Sequence, residues 1–239
     1  MVNFNYFIKA VIFDGNGVVY LRDNEKITDS LLAFLKRRNL DVNRRLFCEY
    51  YAKYKNDAFK GTINRLSMIE KIFESLGLCY DSRLVKETTS VLDRLQTEHL
   101  RLAPAIYDLL TSLRSFDLKL FILTDSFYSV AEKVKWFRML GILDLIDDIF
   151  CSCDVHLMKN DPKIFRFILS KIGLKNNEVV FIGHEKHEIC SAKQTGIFTI
   201  SLSKGIEEDI FIKDLKELQD YFKQAFKKKE KQLDYHDFM

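Results

Sequence analysis

The feature that most constrains this chain is a short apolar strand that runs directly into an Asp-Gly turn. Residues Phe7–Phe13 are mostly aromatic, β-branched or small, which is typical of a central strand buried on both faces of a parallel sheet. The strand ends at Asp14-Gly15-Asn16-Gly17, where the glycines allow a sharp turn and a close approach to a ligand. Asp14 is therefore a candidate functional carboxylate, although an ordinary Asn-Gly turn would also produce this pattern.

Four more apolar runs alternate with amphipathic helical segments in the second half of the chain. This alternation predicts an α/β protein with a Rossmann-like three-layer parallel sheet of at least five strands. The C-terminal segment from Ile210 through Leu215 to Phe222 is predicted to be one amphipathic helix. The four predicted strands cover residues 118–123, 149–151, 179–182 and 197–200.

Polar residues follow three of these strands. Thr124-Asp125-Ser126 ends the first, Lys159 follows the second, and His184 and Glu188 follow Gly183 at the end of the third. The hydroxyls of this group can bind an anion, although Ser126 has the alternative of capping the next helix. Because ligands bind outside the carboxyl ends of strands in such sheets, these side chains are expected to lie near Asp14.

Residues 21–100 have a helical pattern with no strand among them. Four amphipathic segments in a row predict a separate helical subdomain, inserted into a core formed by residues 1–20 and 101–239. The basic segment 223–239 is predicted to be a frayed, solvated end. Lys53, Lys55 and Lys60 indicate a solvated helix face, with the alternative that one of them reaches an anionic substrate.

Composition disfavours several classes of function. The net charge of +3 is too small to indicate a nucleic-acid or membrane partner. No apolar run approaches the ~20 residues that span a bilayer, and the start of the chain lacks a signal-peptide pattern. The five cysteines are odd in number and scattered, which indicates reduced thiols and a cytoplasmic protein. The sequence does not decide whether the protein binds another protein.

Four short motifs occur in order, namely Phe13–Val18, Leu123–Ser126, Lys159–Pro162, and Phe181–Gly183 with Glu188. Together they resemble the motifs of the haloacid dehalogenase superfamily, whose members are mostly phosphatases. The resemblance covers nearly the whole chain, and the helical stretch stands where that family inserts a helical cap. It implies a core of that family's fold with residues 21–100 as the cap.

The resemblance also implies a role for each motif residue. In the family the first Asp attacks phosphorus, and the Asp two residues later serves as general acid and base. Asp14 and Lys159 are thus implied catalytic residues, and the implied substrate-binding residues are Gly15, Thr124, Asp125, Ser126 and Lys159. The implied ligands of a Mg²⁺ cofactor are Asp14, the backbone carbonyl of Asn16, and Glu188.

The sequence departs from the family pattern at three of these positions. Asn16 occupies the acid/base position, and its amide cannot transfer a proton at neutral pH. His184 stands where the family has an Asp, and Glu188 is one methylene longer than the usual ligand. Because Mg²⁺ prefers oxygen ligands, these changes predict that its binding is weak or lost.

Three functions follow from this half-intact pattern. The first is a weak or inactive phosphatase, a pseudoenzyme that binds a small phosphorylated or anionic molecule. The second is a specialised phosphatase that acts on a small phosphomonoester, with Asp14 as nucleophile and His184 or water as the base. The third is a metal-independent hydrolase of the dehalogenase type, although Asn16-Gly17-Val18 differs from the dehalogenase motif and no arginine clamp is evident in the sequence.

Overall fold

The computed structural model describes residues 8–236, with side chains as far as residue 227. Within that part of the chain it contains eight strands, six of which form one parallel sheet in the order β5-β4-β1-β6-β7-β8. Helices cover both faces of this sheet, as the sequence predicts for a Rossmann-like fold. The strands are β1 (Ala10–Asp14), β2 (Tyr20–Arg22), β3 (Leu100–Leu102), β4 (Lys119–Thr124), β5 (Asp148–Cys151), β6 (Val179–Gly183), β7 (Phe198–Ser201) and β8 (Ile210–Phe211).

The strand β1 lies at the centre of the sheet, between β4 and β6. Its residues alternate between two apolar clusters, with Val11 and Phe13 in one and Ala10 and Ile12 in the other. This burial on both faces explains the continuous apolar sequence. Asp14 consequently emerges in the middle of the carboxyl edge of the sheet. The predicted strand began at Phe7, which lies outside the described residues.

The helices of the described residues fall into an inserted group and a core group. The inserted group consists of α1 (Asn24–Arg37), α2 (Arg44–Phe59), α3 (Arg65–Ser75) and α4 (Ser82–Glu98). The core group consists of α5 (Ile106–Arg114), α6 (Val130–Met139), α7 (Ser152–Val155), α8 (Pro162–Ile172), α9 (Lys186–Lys193) and α10 (Leu215–His236). None of the helices in the described residues is both long and apolar enough to cross a membrane.

A two-stranded antiparallel ribbon, which the sequence pattern did not reveal, joins the two ends of the inserted helices. In it β2 pairs with β3, and Arg22 lies opposite Leu100. These strands are only three residues long, too short to give a recognisable alternation. The ribbon brings the chain back to the place where it left the core, so the four helices are anchored beside Asp14.

A polar network also holds the inserted helices against the core. The guanidinium of Arg65, at the start of α3, donates to the backbone carbonyl of Phe127 at 3.1 Å and to Glu132 at 2.6 Å. The hydroxyl of Tyr128 donates to Asp93 on α4 at 2.8 Å. These bonds join α3 and α4 to the segment that follows β4.

The C-terminal region differs from the prediction of one continuous amphipathic helix. Ile210 belongs to the edge strand β8, which pairs with β7, and the helix α10 begins only at Leu215. Two polar contacts account for this difference. The Asp209 carboxylate accepts a hydrogen bond from the Thr199 amide at 2.9 Å, beside the edge strand. Asp214 caps the helix by accepting a hydrogen bond from the Glu217 amide. The predicted basic tail from residue 223 is helical to His236, and its side chains from residue 228 onward lie outside the description.

Candidate active site

The floor of the site is the buried carboxylate of Asp14 at the end of β1, with an exposed fraction of 1%. The ammonium of Lys159, from the loop between α7 and α8, lies 2.5 Å from its Oδ1 atom. The same ammonium donates to Oε2 of Glu188 on α9. Asp125 positions the lysine loop by accepting a hydrogen bond from the Lys159 backbone amide at 3.0 Å. One buried cation thus bridges two buried carboxylates.

The charges of this trio shift its pKa values in different directions. Burial raises the pKa of Asp14, but the nearby Lys159 and His184 more than offset it, so the pKa lies below its usual range. Burial and then the charge of Asp14 raise the pKa of Glu188. Burial would lower the pKa of Lys159, yet the two carboxylates raise it well above its usual range. Lys159 is therefore charged at neutral pH.

His184 lies against the second oxygen of Asp14, with its Nδ1 atom 2.9 Å from Oδ2 and 3.6 Å from Oε1 of Glu188. Neither Oδ2 nor Nδ1 has a partner among the described residues that meets hydrogen-bond geometry, although both atoms are buried. Interaction with the Asp14 carboxylate raises the pKa of the imidazole, against the opposing effect of burial. A protonated His184 would thus place a positive charge beside the carboxylates of Asp14 and Glu188.

Asp14, His184 and Glu188 together have donor atoms close enough to hold one metal ion, within 4.8 Å of one another. This donor set does not fit Mg²⁺, because the third ligand is an imidazole nitrogen. Glu188 is also occupied, since its Oε1 atom accepts from the amides of His184 and Glu185 while Oε2 accepts from Lys159. The departures from the family pattern therefore coincide with a site poorly suited to the family's usual cofactor.

A hydroxyl chain approaches the floor from the other side. The Thr124 hydroxyl at the end of β4 lies 3.2 Å from the Tyr20 hydroxyl, which accepts from the buried Lys133 at 2.7 Å. Ser126 does not cap the next helix; its hydroxyl accepts from the Tyr128 amide, and Ser129 is the helix cap. The sequence did not single out Tyr20 or Lys133, because each resembles an ordinary core or helix residue.

A cavity of about 410 Å³ lies above this floor, between the carboxyl edge of the sheet and the inserted helices. The predicted residues Gly15 and Glu188 lie beneath its surface rather than on it, both buried. The wall formed by the insertion contains Arg22, Lys55 and Asn56. The predicted site residues that line the cavity are Asp14, Asn16, Thr124, Asp125, Ser126, Lys159 and His184.

Arg22 is the main site residue that the sequence reasoning missed. Its Nε atom donates to the Asn16 side-chain oxygen at 3.2 Å, and the guanidinium also donates to Gln96 on α4. Nothing in the local sequence distinguishes this arginine from a surface residue, because the β2–β3 ribbon that turns it inward has no clear pattern. Of the three lysines noted on α2 and after it, Lys55 lines the cavity.

Gly17 supports His184 directly, and its replacement tests that contact. The backbone of Gly17 has φ +101°, and a Cβ atom there would lie 2.5 Å from the His184 ring. We expect Gly17→Ala to lower the free energy of unfolding by more than the about 1–2 kcal/mol that left-handed backbone costs an ordinary residue. Urea unfolding at neutral pH measures this difference.

The matched control for this prediction is Gly77→Ala. Gly77 also has positive φ, at +63°, but a Cβ atom there meets nothing within 4 Å. Gly77→Ala should therefore lose only the stability that corresponds to the backbone strain. Equal losses in the two variants would contradict the contact between Gly17 and His184.

Comparison with known proteins places these features in a family context. The family model described as haloacid dehalogenase-like hydrolase matches residues 25–202. A glyceraldehyde 3-phosphate phosphatase of Methanocaldococcus jannaschii is 29% identical over 153 residues, 60% of this chain and 66% of that protein. The protein of the same name from Methanopyrus kandleri is 24% identical over 85% of this chain and 87% of its own length.

Solved structures agree on the fold. A 2-haloacid dehalogenase from Pseudomonas syringae pv. Tomato superposes with a TM-score of 0.69 at 20% sequence identity, covering 91% of this chain and 99% of its own. At that identity the likeness concerns the fold alone. The match to the M. jannaschii phosphatase spans slightly less than two thirds of that relative's length.

Proposed function

Because the chain belongs to the haloacid dehalogenase-like hydrolases, we propose that it binds a small phosphorylated molecule over Asp14 and hydrolyses ordinary phosphomonoesters weakly or not at all. The relatives named as glyceraldehyde 3-phosphate phosphatases support a small phosphorylated ligand. The observation that carries the proposal is the amide of Asn16, which lines the cavity at the family's acid/base position and accepts a hydrogen bond from Arg22.

The surviving half of the site is suited to bind a phosphoryl group. Lys159 provides a permanent positive charge on the floor, and the Thr124 hydroxyl lies on the neighbouring strand end. Asp14 stays ionised at neutral pH because its pKa is depressed, so it keeps the charge a nucleophile needs. We infer that residues 21–100 act as the cap, because the cavity is lined from both the insertion and the core.

The absence of a general acid and base, together with the unsuitable metal ligands, limits turnover. Transfer of the phosphoryl group to Asp14 forms one P–O bond and breaks another, and an alkoxide leaving group then needs a proton. Asn16 cannot donate it, nor can it later take a proton from the attacking water. Losing a general acid and base typically removes 10²–10⁴-fold in rate. The metal ligands give no compensation, because the donor set does not fit Mg²⁺.

A second candidate function is a specialised phosphatase in which His184 replaces the missing base. The contact of its Nδ1 atom with Asp14 at 2.9 Å favours this reading, because a water attacking a phosphoryl group on Asp14 would approach the same region. His184 is partly exposed to the cavity. Since interaction with Asp14 raises its pKa, base catalysis by His184 would increase towards alkaline pH.

Hydrolysis of small phosphomonoesters and of acetyl phosphate, with Mg²⁺ and with a chelator, tests both candidates. We expect turnover of alkyl phosphates by the natural protein to be no more than about tenfold above that of Asp14→Ala, because the proton donor is missing. Acetyl phosphate needs little acid assistance, so it is the substrate most able to show residual transfer to Asp14.

Two outcomes would change the conclusion. Robust Mg²⁺-dependent turnover of alkyl phosphates that vanishes in Asp14→Ala would overturn the proposal of weak activity. Metal-independent turnover that rises with pH and is lost in His184→Asn would establish the second candidate. Glu185→Gln, an exposed neighbour of His184, is the control that alters charge in the same loop.

A further inference from the structure

The wall of the cavity that faces the floor contains two cationic side chains that form no ion pair among the described residues. Arg22 donates to the side-chain oxygens of Asn16 and Gln96, both of which belong to neutral amides. In the part of the chain that the structure describes, Arg22 has no carboxylate within ion-pair distance. These two hydrogen bonds orient the guanidinium group at the cavity, and no described carboxylate pairs with its charge.

Lys55 approaches the same space from α2. It is half-buried, its ammonium lies 5.4 Å from the centre of the Phe59 ring, and the described side chains offer it no ion pair. Both Arg22 and Lys55 line this one cavity. Burial and then the charge of Arg22 lower the pKa of Lys55, against smaller opposing effects of Glu185 and Asp125. Lys53, two residues earlier, is exposed and does not line the cavity.

The carboxylates of the cavity offset the charge of this pair only in part, because Glu185 and Asp125 act on Lys55 but form no ion pair with it among the described residues. Asp14 and Asp125 both contact Lys159, through its ammonium and its backbone amide respectively. Glu185 is exposed and lies near His184 and His187. The carboxylates of Asp14 and Asp125 are thus held by contacts with Lys159, whereas the two cations of the wall have no ion pair among the described residues. Two like charges that line one cavity are costly when one of them is partly buried, and an anion between them would offset that cost.

The geometry also limits the distance between the two ends of the ligand. Arg22 contacts Asn16, which is only two residues from Asp14, and the whole cavity measures about 410 Å³, near the lower end of the range for small-molecule sites. An arginine fork matches the geometry of a carboxylate or a phosphate group. A second acidic group placed a few bonds from a phosphoryl group would reach the wall.

We propose that Arg22 and Lys55 form a second anion subsite, so that the ligand is a small phosphorylated molecule with a further acidic group, either a carboxylate or a second phosphate. This inference rests on the proposed function, since it assumes that the phosphoryl group lies over Asp14. Under this proposal the β2–β3 ribbon, which carries Arg22, and α2, which carries Lys55, determine the specificity for the ligand.

Three phosphonates with three carbon atoms each test the subsite, because an alkylphosphonate has no P–O–C ester bond to hydrolyse. Propylphosphonate has one acidic group, 3-phosphonopropionate adds a carboxylate, and propane-1,3-diphosphonate adds a second phosphonate. We expect calorimetric titration at constant pH and ionic strength to show at least one diacid binding about tenfold or more tightly than the monoacid. Comparison of the two diacids shows which acidic group the subsite prefers.

Lys55→Met keeps the apolar stem of the side chain and removes the charge. We expect it to abolish most of the preference for the diacid while leaving the affinity for propylphosphonate within about twofold. Arg22→Gln should act in the same direction. Lys53→Met is the matched control, with the same change on the same helix outside the cavity, and it should retain the preference.

The possible failures are distinguishable. If none of the three compounds binds, or if Thr124→Val leaves the affinity for propylphosphonate unchanged, the proposed function itself is wrong. If propylphosphonate binds in a Thr124-dependent way but neither diacid binds more tightly, the subsite is wrong and the proposed function stands. A preference that survives Lys55→Met and Arg22→Gln, or that Lys53→Met removes equally, also overturns the subsite.

Discussion

Lys159→Met should lower the free energy of unfolding at neutral pH by about 3–5 kcal/mol, the cost of removing one partner from a buried ion pair. Lys159 contacts both Asp14 and Glu188, whose exposed fractions are 1% and 0%. Methionine fills much of the volume of the lysine stem, so the loss reports mainly the two carboxylates left without their cation. Equilibrium denaturation in urea measures the effect.

The loss should also depend on pH in a predictable direction. In the natural protein the depressed pKa of Asp14 contributes stability that is present above its unfolded value of about 3.9 and is lost as the pH falls through the folded pKa. Without Lys159, burial should raise the pKa of Asp14, and the pKa of Glu188, which is already raised, should rise further. Their contribution then favours folding below the unfolded values and is lost as the pH rises. The deficit of the variant should therefore shrink as the pH is lowered from 7 towards 4.

Lys163→Met, four residues along the chain, is the control for this prediction. Lys163 is exposed, so its replacement should change the unfolding free energy by no more than about 0.5 kcal/mol. A similar small loss in Lys159→Met, or a deficit that is constant between pH 4 and 7, would show that the buried charges are compensated by other groups.

The sequence predicted the sheet well because its central strands are buried on both faces. β1, β4 and β6 differ from the predicted strands mainly at their ends, and the order of polar residues at the strand ends correctly suggested one shared edge. Such runs have few alternative structures, since a continuous apolar segment of five or six residues must be covered on both sides. The short strands β2, β3 and β8 carry no comparable signal.

The positions of the site residues were less accessible to prediction, for a different physical reason. Asp14, Lys159 and His184 could be placed near one edge, but the orientation of His184 towards Asp14 depends on the glycine beneath its ring. The inward direction of Arg22 depends on the pairing of β2 with β3, which joins residues about eighty positions apart. Long-range pairing of that kind leaves no periodicity in a local window of sequence.

Asn16→Asp combined with His184→Asp is expected to raise phosphatase activity on small phosphomonoesters by about 10²-fold or more, the lower end of the usual contribution of a general acid and base. The first change supplies a group that can transfer protons, and the second gives Asp14 and Glu188 an oxygen donor in place of the imidazole. The gain should require Mg²⁺ and disappear with a chelator, because the new donor set consists of the hard oxygen ligands that this ion prefers.

Arg22 limits what Asn16→Asp can achieve alone. Its Nε atom lies 3.2 Å from the Asn16 side-chain oxygen, so a carboxyl group introduced there would form an ion pair and have a lowered pKa. Such a group is deprotonated at neutral pH, so it can donate a proton to the leaving group only at lower pH. We therefore expect the best rate of both variants to be shifted towards acidic pH. The single variant should gain less than the double variant, because it keeps the imidazole of His184 beside Asp14 and Glu188.

Asn56→Asp provides the matched control, because it places a carboxylate on the opposite wall of the same cavity. It should not raise activity, and adding Asp14→Asn to the double variant should remove the gain. If the folded double variant shows no increase, the loss of activity in this chain extends beyond Asn16 and His184, and the cationic wall of the inserted helices is the next part to alter. An equal gain in Asn56→Asp would mean that added negative charge, rather than a restored proton donor, is responsible.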